Sequence, residues 1–304
     1  MNFIKLIVLV GGCVLSFSVT AEEATQLSDA CNKALGEGNY AQAAELAGKA
    51  LEASRSDRKA YLCLGRALGG KGDHMGAVTA LQAADKLSAG PIDHIVALTL
   101  LGNEQLAAHA YAEASDAYKA SLDTARADKN RHFERINLNQ LGKVRQAMGD
   151  AAGALDFYLQ GQALAANDNE RADGNARIAA AYSLLGNHDK AIEYQLKSLF
   201  QEERVGEPDQ YANASIEMAR IYIVAGQYGN AEKRLNKLLG EVTQAGAAYW
   251  EAKIYYTLGK LRSAQGRLAD ARDFYQRSKA LADRIGAQDL IDEIGDTLAA
   301  GGSK

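Results

Sequence analysis

Basic and amide side chains recur along the chain at intervals of 34 to 40 residues. The series is Asn32, Arg66, Asn103, Lys143, Ala180, Arg220 and Lys260, in which only the fifth position, Ala180, is neither basic nor an amide. Arginine and lysine donate hydrogen bonds to carboxylates, and asparagine can bind a peptide backbone through its donor and its acceptor. The chain as a whole is acidic, with a formal net charge of −4. Cations repeated on an acidic protein favour recognition of a ligand with acidic groups. Exposed helix positions are also often Lys, Arg or Asn because these side chains solvate well, and the sequence leaves that alternative open.

Other kinds of chemistry have no matching pattern in the sequence. The five histidines form no i,i+4 pair of the kind that binds zinc on a helix, and they are His74, His94, His109, His132 and His188. The sequence contains no P-loop, no dinucleotide-binding glycine motif and no nucleophile elbow. We therefore expect no enzymatic activity, no metal and no cofactor. A pI near 5.8 is not typical of a nucleic-acid-binding protein.

The basic series belongs to a longer pattern of small residues. Seven alanines lie at matching positions: Ala43, Ala77, Ala114, Ala154, Ala191, Ala231 and Ala271. The residue twelve positions before each alanine is also small, and these are Cys31, Gly65, Gly102, Gly142, Ala179, Ala219 and Gly259. Two helices approach closely only where the facing residues lack bulk. The pattern predicts seven helical hairpins in which the small residue of the first helix meets the alanine of the second.

The residues between the two small positions predict a tight turn. This position holds Gly38, Gly72, His109, Gly149, Gly186, Gly226 and Gly266. Glycine there favours a left-handed backbone that ends the first helix. An Asn or Asp follows in four hairpins and is expected to cap the second helix, namely Asn39, Asp73, Asp150 and Asn187. The spacing of the alanines grows from 34 to 37 and 40 residues, which predicts longer helices from the third hairpin onward.

The pattern resembles the tetratricopeptide repeat, in which Leu-Gly in the first helix is followed by A-x3-F/Y in the second. Leu141-Gly142 with Ala154 and Tyr158 match it, and residues 101–118 and 258–275 match it in the same way. The resemblance covers about residues 24–282. It implies an all-α fold, an α-solenoid that forms a right-handed superhelix of about seven helix-turn-helix repeats with a C-terminal capping helix.

The alanine spacing and the resemblance divide the chain into repeats. The repeat array is expected over 22–300, with repeats at about 24–57, 58–94, 95–131, 135–170, 172–208, 212–248 and 252–285. A capping helix is expected over 288–299 and a disordered tail over 301–304.

The resemblance also implies a concave groove that receives extended peptides or helices. We predict that a peptide or protein segment of acidic character binds there through Arg66, Asn103, Asn139, Lys143, Arg220, Lys260 and Tyr256. In the aromatic cluster at 249–256, Tyr256 is the residue expected to face the groove. The alternative is a structural or assembly subunit of a cell-envelope machine (secretion, pilus or polysaccharide export) that uses its convex face or the ends of the array.

The first 21 residues have the features of a secretory signal peptide. An apolar stretch follows Lys5, and small residues end the segment at Ala21, so we expect a periplasmic or secreted protein after cleavage. Val10-Gly11-Gly12-Cys13 also resembles a lipobox, and membrane contact is expected only if Cys13 is lipidated. In an oxidising compartment Cys31 and Cys63 could pair, or they could be buried as small hydrophobic residues.

Overall fold

The computed structural model describes residues 21–301, and every regular element in this range is an α-helix. The odd-numbered helices are α1 Ala21–Gly36, α3 Arg58–Gly70, α5 Pro91–Ala107, α7 Arg131–Ala147, α9 Asp168–Leu184, α11 Pro208–Val224, α13 Ala248–Ala264 and α15 Gln288–Gly301. The even-numbered helices are α2 Tyr40–Ala53, α4 His74–Lys86, α6 Tyr111–Ala127, α8 Ala151–Gln162, α10 His188–Val205, α12 Tyr228–Ala245 and α14 Leu268–Ile285. The predicted signal segment, Cys13 and most of the predicted tail lie outside the described residues. None of the described helices has the length and apolar character needed to cross a membrane.

The chain divides into two compact units, one ending at Ala110 and containing α1–α5, the other beginning at Tyr111 and containing α6–α15. Within each unit, helices that are consecutive in sequence pack against each other. From the third repeat onward, each first helix begins four residues before the predicted start of its repeat, for example at Pro91 instead of 95. Helices α3 and α4 have 13 residues each, whereas α9 has 17 and α10 has 18, so these repeats show the expected lengthening. Helix α8 is the exception, with 12 residues.

The turns have the backbone that the sequence predicts. All six turn glycines adopt a positive φ, from 71° at Gly226 to 81° at Gly149, and His109 adopts 59° at the equivalent position. The four predicted caps each accept a hydrogen bond from a backbone N–H three residues later, for example Asp150 from Gly153 at 2.8 Å. These local features end one helix and start the next within three residues.

The repeat alanines are buried as predicted, whereas the contacts of the small residues on the first helices differ between repeats. All seven repeat alanines are buried. Cys31 meets Ala43, with its Sγ atom 3.0 Å from the Ala43 carbonyl oxygen, and Ala179 and Ala219 share core clusters with Ala191 and Ala231. At Gly142 and Gly259 the nearest side chain is instead a tyrosine. A Cβ on Gly142 would lie 2.6 Å from Tyr158 Cδ1, and one on Gly259 would lie 2.6 Å from Tyr275 Cδ1. The glycine makes room for the large side chain four residues beyond the alanine.

The first unit contains a disulfide bond between Cys31 of α1 and Cys63 of α3, whose Cα atoms are 6.3 Å apart. Both residues lie in a core cluster with Ala43, Ala47 and Ala67. The bond joins the first helices of the first two repeats, and it resolves the alternative that the sequence left open.

Candidate binding groove

A cavity of about 480 Å³ lies between α7, α9 and α11 in the second unit. Ala176 and Ala180 of α9 line it, and their small side chains leave space between the flanking helices. Leu184, Ile221 and Val224 contribute an apolar part of the wall. The volume is within the range of sites that bind small molecules or short peptide segments.

Charged side chains from all three helices line this cavity. The cations are Lys143 of α7, Arg177 of α9 and Arg220 of α11, and the carboxylates are Asp173 and Glu217. Arg177 forms an ion pair with Asp173 at 2.8 Å, and Arg220 forms one with Glu217 at 2.8 Å. The two pairs hold the guanidinium groups in place and leave the cavity with one cation in excess.

Lys143 forms no ion pair in the part of the chain that the structure describes, and the charge of Asp173 favours its ammonium less strongly than burial and Arg177 disfavour it. Burial beside the groove lowers the pKa of its ammonium, and the nearby Arg177 guanidinium lowers that pKa further. Both causes disfavour the positive charge. A carboxylate bound in the cavity would compensate them, so the site is electrostatically suited to an anionic group.

The interior of the repeat formed by α9 and α10 is unusually polar. At the position that holds Tyr158 and Tyr275 in other repeats, this repeat has Gln195, which is buried and donates to the Ala214 carbonyl at 3.0 Å. Asn175 donates to Gln201 at 3.0 Å and accepts from Gln162 at 3.1 Å. Buried polar networks of this kind fix helices in one arrangement, which keeps the cavity open.

The structure brings together two of the predicted groove residues, Lys143 and Arg220. Arg66 is exposed on α3 and Asn103 is half-buried on α5, and both belong to the first unit.

The structure corrects the prediction at Asn139 and Tyr256, which are buried, whereas the side chain of Lys260 is 39% exposed. Asn139 is only 5% exposed, because it packs against Gly161 of α8. Tyr256 is only 2% exposed, and its hydroxyl lies 2.8 Å from the Thr297 hydroxyl of α15. Lys260 lies over the Tyr256 ring and forms an ion pair with Glu293 of α15 at 3.5 Å. Helix α15 therefore covers the position where the sequence placed the end of the groove.

Three charged residues of the cavity were not predicted, namely Asp173, Arg177 and Glu217. Asp173 lies seven residues before Ala180, on the same helix face as that member of the basic and amide series, so reading the whole face would have identified it. Arg177 lies three residues before Ala180 and Glu217 three residues before Arg220, so the groove is wider than the series alone predicts. Among residues 21–301, no group of three or more His, Cys, Asp or Glu side chains is arranged to hold a metal ion.

Comparison with known proteins identifies the repeats. Two family models, each described as tetratricopeptide repeat, match residues 172–199 and 210–284, which include most of α9 and nearly all of α11. The chain is a tetratricopeptide-repeat protein. No curated protein sequence matches it.

Solved structures share this tetratricopeptide-repeat fold at low sequence identity. A tetratricopeptide-repeat protein from Parabacteroides merdae aligns with a TM-score of 0.62 at 14% identity, over 90% of this chain and 99% of that one. The apo form of RapI aligns with a TM-score of 0.65 at 12% identity, over 91% and 86% of the two chains. A Rap protein complexed with competence and sporulation factor aligns with a TM-score of 0.58 at 13% identity, over 93% and 88%.

Proposed function

We propose that this protein is a non-catalytic interaction module that binds a peptide or protein segment in the cavity between α7, α9 and α11. The tetratricopeptide-repeat fold is consistent with protein–protein interaction, and a protein of this fold is complexed with competence and sporulation factor. The observation that carries the proposal is that Lys143, which forms no ion pair among the described residues, lies beside Arg177 and Arg220 in a cavity of about 480 Å³.

The bound segment carries at least one carboxylate in this proposal. Arg177 and Arg220 present N–H donors fixed by ion pairs, and Lys143 supplies the compensating charge. The apolar wall at Leu184, Ile221 and Val224 accommodates neighbouring aliphatic groups. For a short flexible segment the affinity is on the order of micromolar, or about 8 kcal/mol.

The experiment is a calorimetric titration of the purified chain with an acidic peptide at increasing salt. Binding is expected to weaken as salt rises, because charge pairs supply part of the affinity. Lys143→Glu and Arg220→Glu should each weaken it by about tenfold or more. Lys233→Glu is the matched control, because Lys233 is exposed on α12 and lies outside the cavity. Binding that ignores salt and survives both groove reversals would contradict the proposal.

We also propose that the protein is exported to the periplasm of a Gram-negative bacterium. The disulfide between Cys31 and Cys63 supports this, because such bonds persist in oxidising compartments and are rare in the cytosol. Cell fractionation combined with thiol alkylation tests it. The cleaved chain should appear in the periplasmic fraction with Cys31 and Cys63 protected, whereas a full-length cytosolic chain with three reactive thiols would exclude export.

A further inference from the structure

A second cavity, of about 240 Å³, lies between α9, α10 and α11 and adjoins the first. The two cavities share four lining residues: Asp173, Ala176, Gln195 and Glu217. They are therefore neighbouring parts of one groove along α9, with the second cavity beside the N-terminal half of that helix. No step of the proposed carboxylate recognition uses the second cavity.

The second cavity differs from the first in that carboxylates line it and cations do not. Three carboxylates line it, from Asp173, Glu202 and Glu217, and none of its described lining residues is Lys, Arg or His. Arg177 and Arg220, which pair with two of these carboxylates, line the first cavity instead. Side-chain amides surround the carboxylates and add carbonyl acceptors, from Asn169, Gln210 and Asn213.

Glu202 of α10 distinguishes this cavity from an ordinary acidic surface. The residue is only 9% exposed, and its Oε2 atom is buried without a hydrogen-bond partner among the described residues. A buried carboxylate with an unmet acceptor is costly for the folded protein. Burial raises the pKa of this carboxyl, and the neighbouring Asp173 charge raises that pKa further. The Oε2 atom lies against Gly206, so a cationic donor from a ligand would approach the carboxylate from the cavity side and lower the cost of burying its charge.

We propose that the second cavity binds a primary ammonium group, so that the natural ligand is bipolar, with an ammonium at Glu202 and a carboxylate at Lys143. The inference rests on the proposed function, because both groups belong to one segment bound along α9. An ammonium is compact and has three donors, which suits a small cavity lined by carboxylate and amide oxygens. The group comes either from a lysine side chain or from a chain amino terminus.

The length of α9 sets the spacing of the two ligand charges. Asn169 and Asp173 mark the second cavity, and Arg177 and Ala180 mark the cationic part of the first. At 1.5 Å per residue, the centres of these two regions are roughly 10 Å apart along the helix. An extended peptide spans this distance in about three residues. The ligand should therefore carry its ammonium and its carboxylate about three residues apart.

The test is calorimetry of the full chain with three peptides of equal length. The first has both ends blocked and carries a lysine three residues from a glutamate. In the second the lysine is replaced by acetyl-lysine. In the third it is replaced by glycine, and the free amino terminus lies three residues from the glutamate. The peptide whose amine enters the cavity should bind at least about tenfold more tightly than the acetylated peptide. If the first peptide shows this gain, the ammonium comes from a lysine side chain. If the third peptide shows it, the ammonium is a chain amino terminus.

Glu202→Gln should abolish that preference and leave the affinity for the acetylated peptide unchanged. Glu203→Gln is the matched control, because Glu203 is adjacent in sequence but exposed and outside the cavity. Circular dichroism of both variants checks that they are folded. If the acetylated peptide binds as tightly as both amine-containing peptides, or if Glu202→Gln keeps the preference, the inference is wrong. If the inference is wrong but Lys143→Glu loses binding of the acetylated peptide, the proposed recognition of a carboxylate in the first cavity is still supported.

Discussion

At the scale of single residues, pairs of complementary size hold each repeat together. Gly142 is covered by Tyr158, Gly259 by Tyr275 and Gly65 by Leu81, which is also the residue four beyond the repeat alanine. The sequence predicts that the small positions matter, because they recur. It did not identify their partner, since the periodicity of small residues contains no information on which large side chain turns toward them.

The first prediction concerns Gly142. Replacing it with alanine places a methyl group against the buried Tyr158 ring, which must shift to admit it, so Gly142→Ala should destabilise the protein by about 1–3 kcal/mol. Gly240→Ala is the control, because Gly240 is exposed on α12 and an added Cβ there meets no neighbouring group within 4 Å. This change should stabilise the protein by about 0.5–1 kcal/mol. Urea unfolding measures both. Equal effects would contradict the assigned contact.

A second prediction concerns pH and Glu202. Its folded-state pKa is raised, so at a pH between the unfolded and folded pKa values the folded protein keeps a proton that the unfolded chain has released. This stabilisation is present below the usual glutamate pKa and is lost as pH rises from there through the folded pKa. Glu202→Gln should therefore be more stable than the parent at pH 7, with the difference shrinking toward pH 4. The exposed Glu203→Gln should show no such trend in the same urea titrations.

At the scale of elements, α9 and α15 decide where a groove is open and where it is closed. Along α9, Ala176 and Ala180 keep the cavity open, whereas α15 packs over Tyr256 and Lys260 of α13. The sequence predicts both helices and brings Lys143 and Arg220 to one face. The sequence did not predict that Tyr256 is covered. The repeat pattern is the same for every first helix, so it does not show that the capping helix α15 packs over the last one.

The third prediction tests the packing of α15. Leu290 and Ile294 are its buried residues, and they belong to a cluster with Ala252, Tyr256 and Ala282. Ile294→Ala should lower the free energy of unfolding by about 2–5 kcal/mol because it leaves a cavity in this cluster. Asp296→Ala, an exposed change on the same helix, should alter it by less than about 0.5 kcal/mol. If both variants melt at the parent temperature, α15 does not hold this position.

At the scale of the whole molecule, local sequence rules account for most of the fold. Turn glycines, caps and buried alanines follow directly from residue types, because each acts within a few positions along the chain. The disulfide and the charge of the two cavities do not follow from such rules. They depend on which residues of different helices come together, such as Cys31 with Cys63 or Glu202 with Asp173.

The fourth prediction concerns the disulfide. It closes a loop with a sequence separation of 32, which corresponds to roughly 3–4 kcal/mol of stabilisation in the chain-entropy description. In urea unfolding, dithiothreitol should lower the free energy of unfolding of the first unit by that amount. The Cys31→Ala/Cys63→Ala double variant should match the reduced protein and be insensitive to the reductant. A parent protein that titrates two free thiols before reduction would exclude the bond.

The central claim is that recognition occurs in the groove along α9, and methyl NMR tests it most directly. Ala176, Ala180 and Leu184 line the cavity, whereas Leu159 and Leu196 are exposed outside it on α8 and α10. On titration with a bipolar peptide, the methyl signals of the three cavity residues should shift together and saturate at the calorimetric affinity. Shifts at Leu159 and Leu196 with unchanged signals from Ala176 and Ala180 would contradict the account and favour recognition by the outer surface.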